Sequence, residues 1–284
     1  MKVIGFGDNV VDQYQHTGVM YPGGNAVNFA VYAQKLGVNS AYLGVFGRDE
    51  AADLIKASLL KERIDISQCI DRNGVSGYCQ VNLVDGDRVF VDWNEGGIST
   101  EQPIEVEQAQ FDYLQDFRLI HSSCFSRLEN ELPKLRGLDA LVSFDFSDEP
   151  QFHDDAYLAK VCPYIDFALL SCSELTTSQI EQMLKRVTGF GAGAALITRG
   201  SKGSLFYDGV RFYEGKVDYV VPVDTMGAGD AFVTAFLIHL LDSGWRKGHF
   251  PGEGTVIEGL RKAAAFSAQI CLVEGSFGYG KAYV

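Results

Sequence analysis

Asp224-Thr225-Met226-Gly227-Ala228-Gly229-Asp230 runs directly into Ala231-Phe232-Val233-Thr234-Ala235-Phe236-Leu237, and the reading of this stretch decides the reading of the chain. Phe232, Ala235, Phe236 and Leu240 recur at the spacing of one helical face, which predicts a Gly-rich turn opening a helix with Asp230 in its first turn. The start of a helix has backbone N–H groups without partners and carries partial positive charge, so it attracts anions such as phosphate oxygens. Gly227 and Gly229 let the backbone approach such a ligand and reach positive φ at low cost. The amides of Ala228, Gly229 and Asp230 are then placed to stabilise charge on a transferring phosphoryl group, and the Asp230 carboxylate to take the proton of an attacking hydroxyl. A Gly-rich connector with Asp230 complementing the helix dipole accounts for an isolated G-x-G-D as well. The rest of the chain has to choose between the two.

With 284 residues, 46% of them hydrophobic, the chain is long enough for one large α/β unit. No apolar run approaches the ~20 residues that span a bilayer, and Asp8 and Asp12 interrupt the place of a signal peptide's apolar segment. Six cysteines are scattered with no C-x-x-C pair, which reads as reduced thiols. The expectation is a soluble, cytoplasmic protein. A formal charge of −13 argues against nucleic acid or an anionic membrane as partner. A nucleotide must then be captured by local amides, a few Lys or Arg side chains and Mg²⁺. The histidines show no metal spacing, no hydrolase triad motif occurs, no Gly-x-Gly-x-x-Gly follows the first strand, and no Walker A sequence is found.

Working towards the N-terminus, residues 2–7 predict a central strand whose end carries Asp8-Asn9-Val10-Val11-Asp12. Ligands of open α/β sheets sit beyond the carboxyl ends of strands, which makes Asp12 a candidate for sugar hydroxyls or an ordinary loop carboxylate. Asp8 has the same two readings. Residues 21–37 predict a Gly-Gly turn, then an amphipathic helix closed by Gly37, with Asn28 offering a donor and an acceptor one turn in. A strand over 41–47 and a helix to about residue 62 follow. Residues 76–92 read as a hairpin around Asp85-Gly86, part of a small projecting sheet. Further strands are expected over 117–122, 141–146, 165–171 and 194–198. Asp145 ends one of them, as a nucleotide-side contact or a satisfied loop carboxylate, and Arg199 follows another with a charge that suits phosphate. Two short strands, 205–210 and 212–221, precede the heptad. An Ala-rich helix over 256–273, with Ala263, Ala264 and Ala268, permits close approach. Strands alternating with helices predict an α/β fold with a mostly parallel sheet covered on both faces.

The heptad, Gly23-Gly24 with Asn28, the Gly-x-Asp at Gly47 and Asp49, and Thr198-x-Gly200-x-x-Gly203 resemble the ribokinase-like, or phosphofructokinase-B, family of carbohydrate kinases, over essentially all of the chain. The resemblance implies one three-layer α/β/α domain over 1–284 with a β lid from about 13–21 and 76–100. It implies phosphoryl transfer from ATP with Mg²⁺, Asp230 as base, and Gly227, Ala228 and Gly229 around the transferred group. Asp12, Gly23, Gly24, Asn28 and Asp230 are implied to bind sugar, and Thr198, Arg199, Gly200, Gly203, Gly227 and Gly229 to bind ATP. Glu174 is implied to reach Mg²⁺ through water, although Ser171 stands where the family commonly has Asn. The 256–273 helix is implied to wall the adenine, and Asp224 and the loop after that helix to hold a monovalent cation such as K⁺.

Residues 7–12, 23–32, 87–90 with 95–96, and 144–148 are similar to the branch of the family that phosphorylates O6 of a fructosyl-amine derived from glycated lysine, the fructoselysine 6-kinases. Arg88 and Glu95 read equally as substrate contacts and as exposed hairpin charges. Fructose, another ketose or a nucleoside remain alternative acceptors, and a catalytically silent sugar sensor is the alternative from a different class. Edges of the lid pairing across a two-fold axis imply a homodimer.

Overall fold

The computed structural model describes residues 1–84 and 87–283. In chain order the elements are β1 (Lys2–Gly7), β2 (Val10–Tyr14), β3 (Val19–Gly23), α1 (Asn25–Lys35), β4 (Asn39–Phe46), α2 (Glu50–Lys61), β5 (Ile70–Asp71), β6 (Gly77–Val84), β7 (Asp87–Trp93), α3 (Ile98–Glu101), α4 (Gln108–Leu114), β8 (Leu119–Ser123), β9 (Leu141–Asp145), α5 (Asp155–Val161), β10 (Phe167–Ser171), α6 (Thr177–Gly189), β11 (Ala195–Thr198), β12 (Ser204–Tyr207), β13 (Phe212–Gly215), α7 (Ala228–Asp242), α8 (Glu253–Ile270) and β14 (Lys281–Ala282).

Nine of these strands form the large sheet, ordered β13-β12-β11-β10-β9-β8-β1-β4-β5. Pairing is parallel from β11 through β5 and antiparallel only at β11–β12 and β12–β13. Parallel strands buried on both faces need apolar side chains on both, and alternate residues of β1 show it. Val3 belongs to the buried cluster that holds Phe29 of α1 and Phe236 of α7, whereas Ile4 belongs to the one that holds Leu114 of α4 and Ile180 of α6. The sheet is therefore a middle layer, with α1, α7 and α8 on one side and α4, α5 and α6 on the other. Helix α8 lies close on α7 because Gly259 has no side chain; a methyl there would stand 2.9 Å from His239 and 3.0 Å from Phe236.

Parallel pairing brings the carboxyl ends of β1, β8, β9, β10 and β11 to one edge, where the chain leaves through Asp8, Ser123, Asp145, Ser171 and Thr198. A second sheet, ordered β14-β3-β2-β6-β7, stands over part of this edge. Its register aligns Tyr21, Asp12, Cys79 and Trp93 in one row across four strands. The opposite face of this sheet packs on α2 through Val11 and Met20, which fixes which side chains face the edge. The expected hairpin is present as β6 and β7, while its Asp85-Gly86 turn lies outside the described residues.

Two expectations differ. The strand expected over 212–221 ends at Gly215, and residues 216–222 belong to no strand, with Tyr219 and Val221 exposed. Strand β14, two residues near the C-terminus, joins the second sheet by pairing with β3, a contact that so short a run does not announce. Among the described residues no helix is long and apolar enough to cross a membrane, and no disulfide joins any of the six cysteines.

Candidate active site

Both Gly-rich turns open helices at this edge, and they meet. Asn28, in the first turns of α1, donates from Nδ2 to Oδ2 of Asp230, in the first turn of α7, at 2.8 Å. The two residues are 202 positions apart. Both are buried, Asn28 4% and Asp230 9% exposed. Asn28 Oδ1 is also buried and has no partner, an acceptor placed for a hydroxyl that the protein itself does not supply.

Local backbone explains why glycines stand in both turns. Gly24 caps α1 with φ 108°, and a methyl there would stand 2.9 Å from Asn9 Cα. At Gly23 a methyl would stand 2.5 Å from Asp12 Oδ2, so the missing side chain lets the Asp12 carboxylate lie against the turn. Gly227 caps α7 in the left-handed region at φ 73°, close to the hydroxyl of Tyr32. Gly229 differs from all three. Nothing lies within 4 Å of where its methyl would be, and no acceptor for its amide is found among the described residues. The amide of Ala228, expected to face the phosphoryl group, instead donates to Thr225 O at 3.2 Å and closes the turn.

Asp8 and Asp12 separate in role. Asp8 Oδ2 accepts from the Asn25 amide at 2.6 Å, and Oδ1 accepts from Ser123 Oγ and Ser126 Oγ, both at 2.8 Å. It ties the start of α1 to the ends of β1 and β8 and shapes the turn. Asp12 lies on β2 of the second sheet, 3% exposed, beside Gly23. Of its two readings, Asp145 takes that of a satisfied carboxylate. Its Oδ2 accepts from Asn25 Nδ2 at 2.8 Å and its Oδ1 from the Ser147 amide at 2.7 Å. Burial pushes its pKa up to about 7, the Ser147 amide opposes this, the charge of Asp8 adds to it, and Asn25 opposes it again.

The turns of the expected nucleotide side gather at the ends of β10 and β11. Ser171 Oγ lies 3.1 Å from Thr198 Oγ1, and Thr198 O accepts from the Cys172 amide at 3.0 Å. Gly200 (φ 56°) and Gly203 (φ 86°) hold the next turn, where the Arg199 amide donates to Gly203 O at 2.8 Å. The Arg199 guanidinium reaches Glu214 at 3.3 Å, while its buried Nε has no partner. Glu174 is exposed beside this turn and accepts from Ser173 Oγ at 3.1 Å. No group of three His, Cys, Asp or Glu side chains among the described residues could enclose a metal ion. The single exposed carboxylate of Glu174 is a donor that can reach a divalent ion held on phosphates, through water.

Asp224 is spent on fastening the heptad. Its Oδ2 accepts from the Tyr14 hydroxyl at 2.5 Å and the Gly275 amide at 2.9 Å, and its Oδ1 from the Met226 amide at 2.9 Å. Tyr14 belongs to β2, so the second sheet is hydrogen-bonded to the turn before α7. The side chain of Arg88 lies outside the described residues.

Several participants were missed in the sequence. Ser276, fully buried, receives Asn28 Nδ2 at 3.2 Å on Oγ, and its carbonyl receives the Tyr32 hydroxyl at 2.6 Å. The available signal was Gly275-Ser276-Phe277-Gly278, small residues of the kind that let two backbones approach closely. Lys202 Nζ donates to Ser173 O at 2.7 Å and joins the two nucleotide-side loops. No local pattern marks that pair.

A helix N-terminus with an adjacent carboxylate, joined to a second Gly-rich turn, suits transfer of a phosphoryl group to a hydroxyl. The chain belongs to the pfkB family of carbohydrate kinases, whose profile matches residues 1–277. It is 39% identical over 284 residues to the fructosamine kinase FrlD of Bacillus subtilis (strain 168), covering 100% of this chain and 95% of that one. It is 32% identical over 242 residues to the fructoselysine 6-kinase of Escherichia coli (strain K12), covering 85% and 88%. Its fold matches a fructokinase with bound ATP from Xylella fastidiosa with TM-score 0.81 at 19% identity, covering 98% of this chain and 94% of that one.

Proposed function

We propose that the chain transfers the γ-phosphoryl group of ATP to O6 of a fructosamine, fructoselysine or a close relative of it. The observation that carries the chemistry is the Asn28–Asp230 contact, which joins the two Gly-rich turns into one site. The names of the two curated relatives support the acceptor.

In this reading Asp12, Gly23, Gly24 and Asn28 hold the sugar with its terminal hydroxyl against Asp230, which takes the proton as the oxygen attacks. The Gly229 amide at the head of α7 receives charge from the transferring group, with Gly227 setting the turn. Thr198, Arg199, Gly200 and Gly203 line the nucleotide side. Mg²⁺ on the phosphates supplies charge neutralisation, and Glu174 reaches it through water. For a monovalent cation at Asp224, support is confined to the family resemblance and to Oδ1, which has one donor to Oδ2's two. The small sheet acts as a lid over the acceptor, tied to the catalytic turn by Tyr14 and Asp224. Six cysteines that form no disulfide suit a reducing compartment such as the cytoplasm.

Asp230→Asn keeps the shape and removes the base. We expect kcat to fall about 10²–10⁴-fold with sugar affinity, measured by calorimetry, nearly unchanged. A kcat close to wild type removes Asp230 from the role. A coupled ADP-release assay across fructoselysine, fructose, ribose and adenosine tests the acceptor. The edge strand β7 exposes Val89 (48%) and Val91 (52%), which supports pairing of two lids into a dimer; a monomeric mass by light scattering refutes it.

A further inference from the structure

We propose that the rings of Trp93 and Phe125 form a subsite for the amine-linked arm of the acceptor, so that the chain selects ketoses substituted on C1 over free ones. The inference rests on the fructosamine reading above. In a ketohexose phosphorylated at O6, the reacting oxygen and C1 lie at opposite ends of the carbon chain. An arm on C1 therefore leaves the sugar on the side away from Asp230.

The register of the small sheet gives that side a location. Along the row Tyr21–Asp12–Cys79–Trp93, Tyr21 donates to Glu274 at 2.8 Å and lies against Gly275, in the segment that brings Ser276 to Asn28. That end of the row belongs to the reacting end of the site. Asp12 stands in the middle. Trp93 stands at the other end, two strands beyond Asp12, which at the usual strand spacing is about 10 Å. Residues opposite one another in a register share a face, so Trp93 and Asp12 look towards the same cleft.

Beneath Trp93 the body of the protein supplies a second ring. Phe125 meets it edge to face, with centroids 6.0 Å apart and planes at 79°, and is backed by Phe152 at 5.7 Å. Phe125 sits between Ser123 and Ser126, whose hydroxyls both bind Asp8, and Asp8 holds the Asn25 amide next to Gly24. The floor of the slot is thus fastened to the turn that grips the sugar. Trp93 is 45% exposed although its row-mate Asp12 is buried, which leaves ring surface open beside the acceptor. An arm of methylenes carrying a protonated secondary amine matches two aromatic faces, through apolar contact and attraction of the cation to the ring. A free ketose has nothing to place there.

Coupled ADP-release kinetics of wild type, Trp93→Ala, Trp93→Phe and Phe125→Ala, each with fructoselysine and with fructose, provide the test. We expect the ratio of kcat/KM for fructoselysine over fructose to fall roughly tenfold in the two alanine variants, mainly through KM, and to recover in Trp93→Phe. A second readout needs no turnover. The chain has two tryptophans and Trp245 is buried, so fructoselysine should shift the emission of exposed Trp93 in wild type, and fructose should not. An unchanged ratio in both alanine variants, with fructoselysine turned over by wild type, overturns the subsite and leaves the reaction standing. No turnover of fructoselysine by wild type removes the reaction and the subsite with it.

Discussion

The turn before α1 and the turn before α7 are built from the same residue type for different reasons. At 23–24 both glycines are imposed by the protein: Asp12 presses on Gly23, and Asn9 lies under Gly24 in a backbone conformation that side chains rarely adopt. At 227–229 only the first is. Gly227 is hemmed in by Tyr32 and Ser276, whereas Gly229 faces open space with a free amide among the described residues. The first turn is a fitted joint, and the second is half joint and half vacancy. In the proposed reading the transferring phosphoryl group meets the chain at Gly229, at the positive end of α7.

Substitutions that separate joint from vacancy test this contrast. The largest effect is expected from Gly24→Ala, which forces a methyl against Asn9 at φ 108°. We expect a loss of about 2–4 kcal/mol in stability, read as a lower denaturation midpoint, with loss of sugar binding. A midpoint equal to wild type breaks the comparison from the structural side. Next is the pH response of the joint. The Asp145 carboxyl, raised from an ordinary 3.8 to about 7, keeps a proton in the folded chain that the unfolded chain has already lost. Its contribution therefore destabilises progressively as pH rises from about 4 to 7. Asp145→Asn keeps one of the two acceptors, which costs a constant amount, and removes the titration, so its stability should gain on wild type by up to a few kcal/mol across that window. A constant gap between the two curves contradicts the assignment. The smallest effect is Gly229→Ala. Alanine favours a helix over glycine by about 0.5–1 kcal/mol, so the midpoint should hold or rise slightly, while kcat/KM for ATP falls roughly tenfold. Unchanged kinetics would mean that the ligand passes elsewhere.

How much of this was legible in the residues varies with distance along the chain. Strand β1, helices α1 and α7 and the hairpin β6–β7 follow from patterns within ten or so residues, and so do the three Gly-rich turns. The end of β13 was misplaced because Val217, Tyr219, Val220 and Val221 have strand propensity but no neighbour to pair with; propensity alone does not make a strand. Asp145 kept two readings because it ends a strand, and what decides for the satisfied carboxylate is Asn25, 120 residues away. The Ala228 amide was counted as free because its turn bond to Thr225 depends on the backbone angle of Gly227. Lys202 has no motif at all, and Ser276 only the glycines on either side of its segment. Their roles come from which backbone they touch.

The residues by themselves determined the periodicities of the elements, the positions where backbone had to turn or come close, and the carboxylate at the head of α7, because these depend on side-chain volume and spacing over one or two turns of chain. Only the tertiary structure decided that Asn28 would hold Asp230, that Tyr14 would tie the small sheet to Asp224, and that Trp93 would stand in register with Asp12. Each of these contacts joins segments whose separation leaves no local trace, and burial in a packed core is what brings them within hydrogen-bond or van der Waals reach.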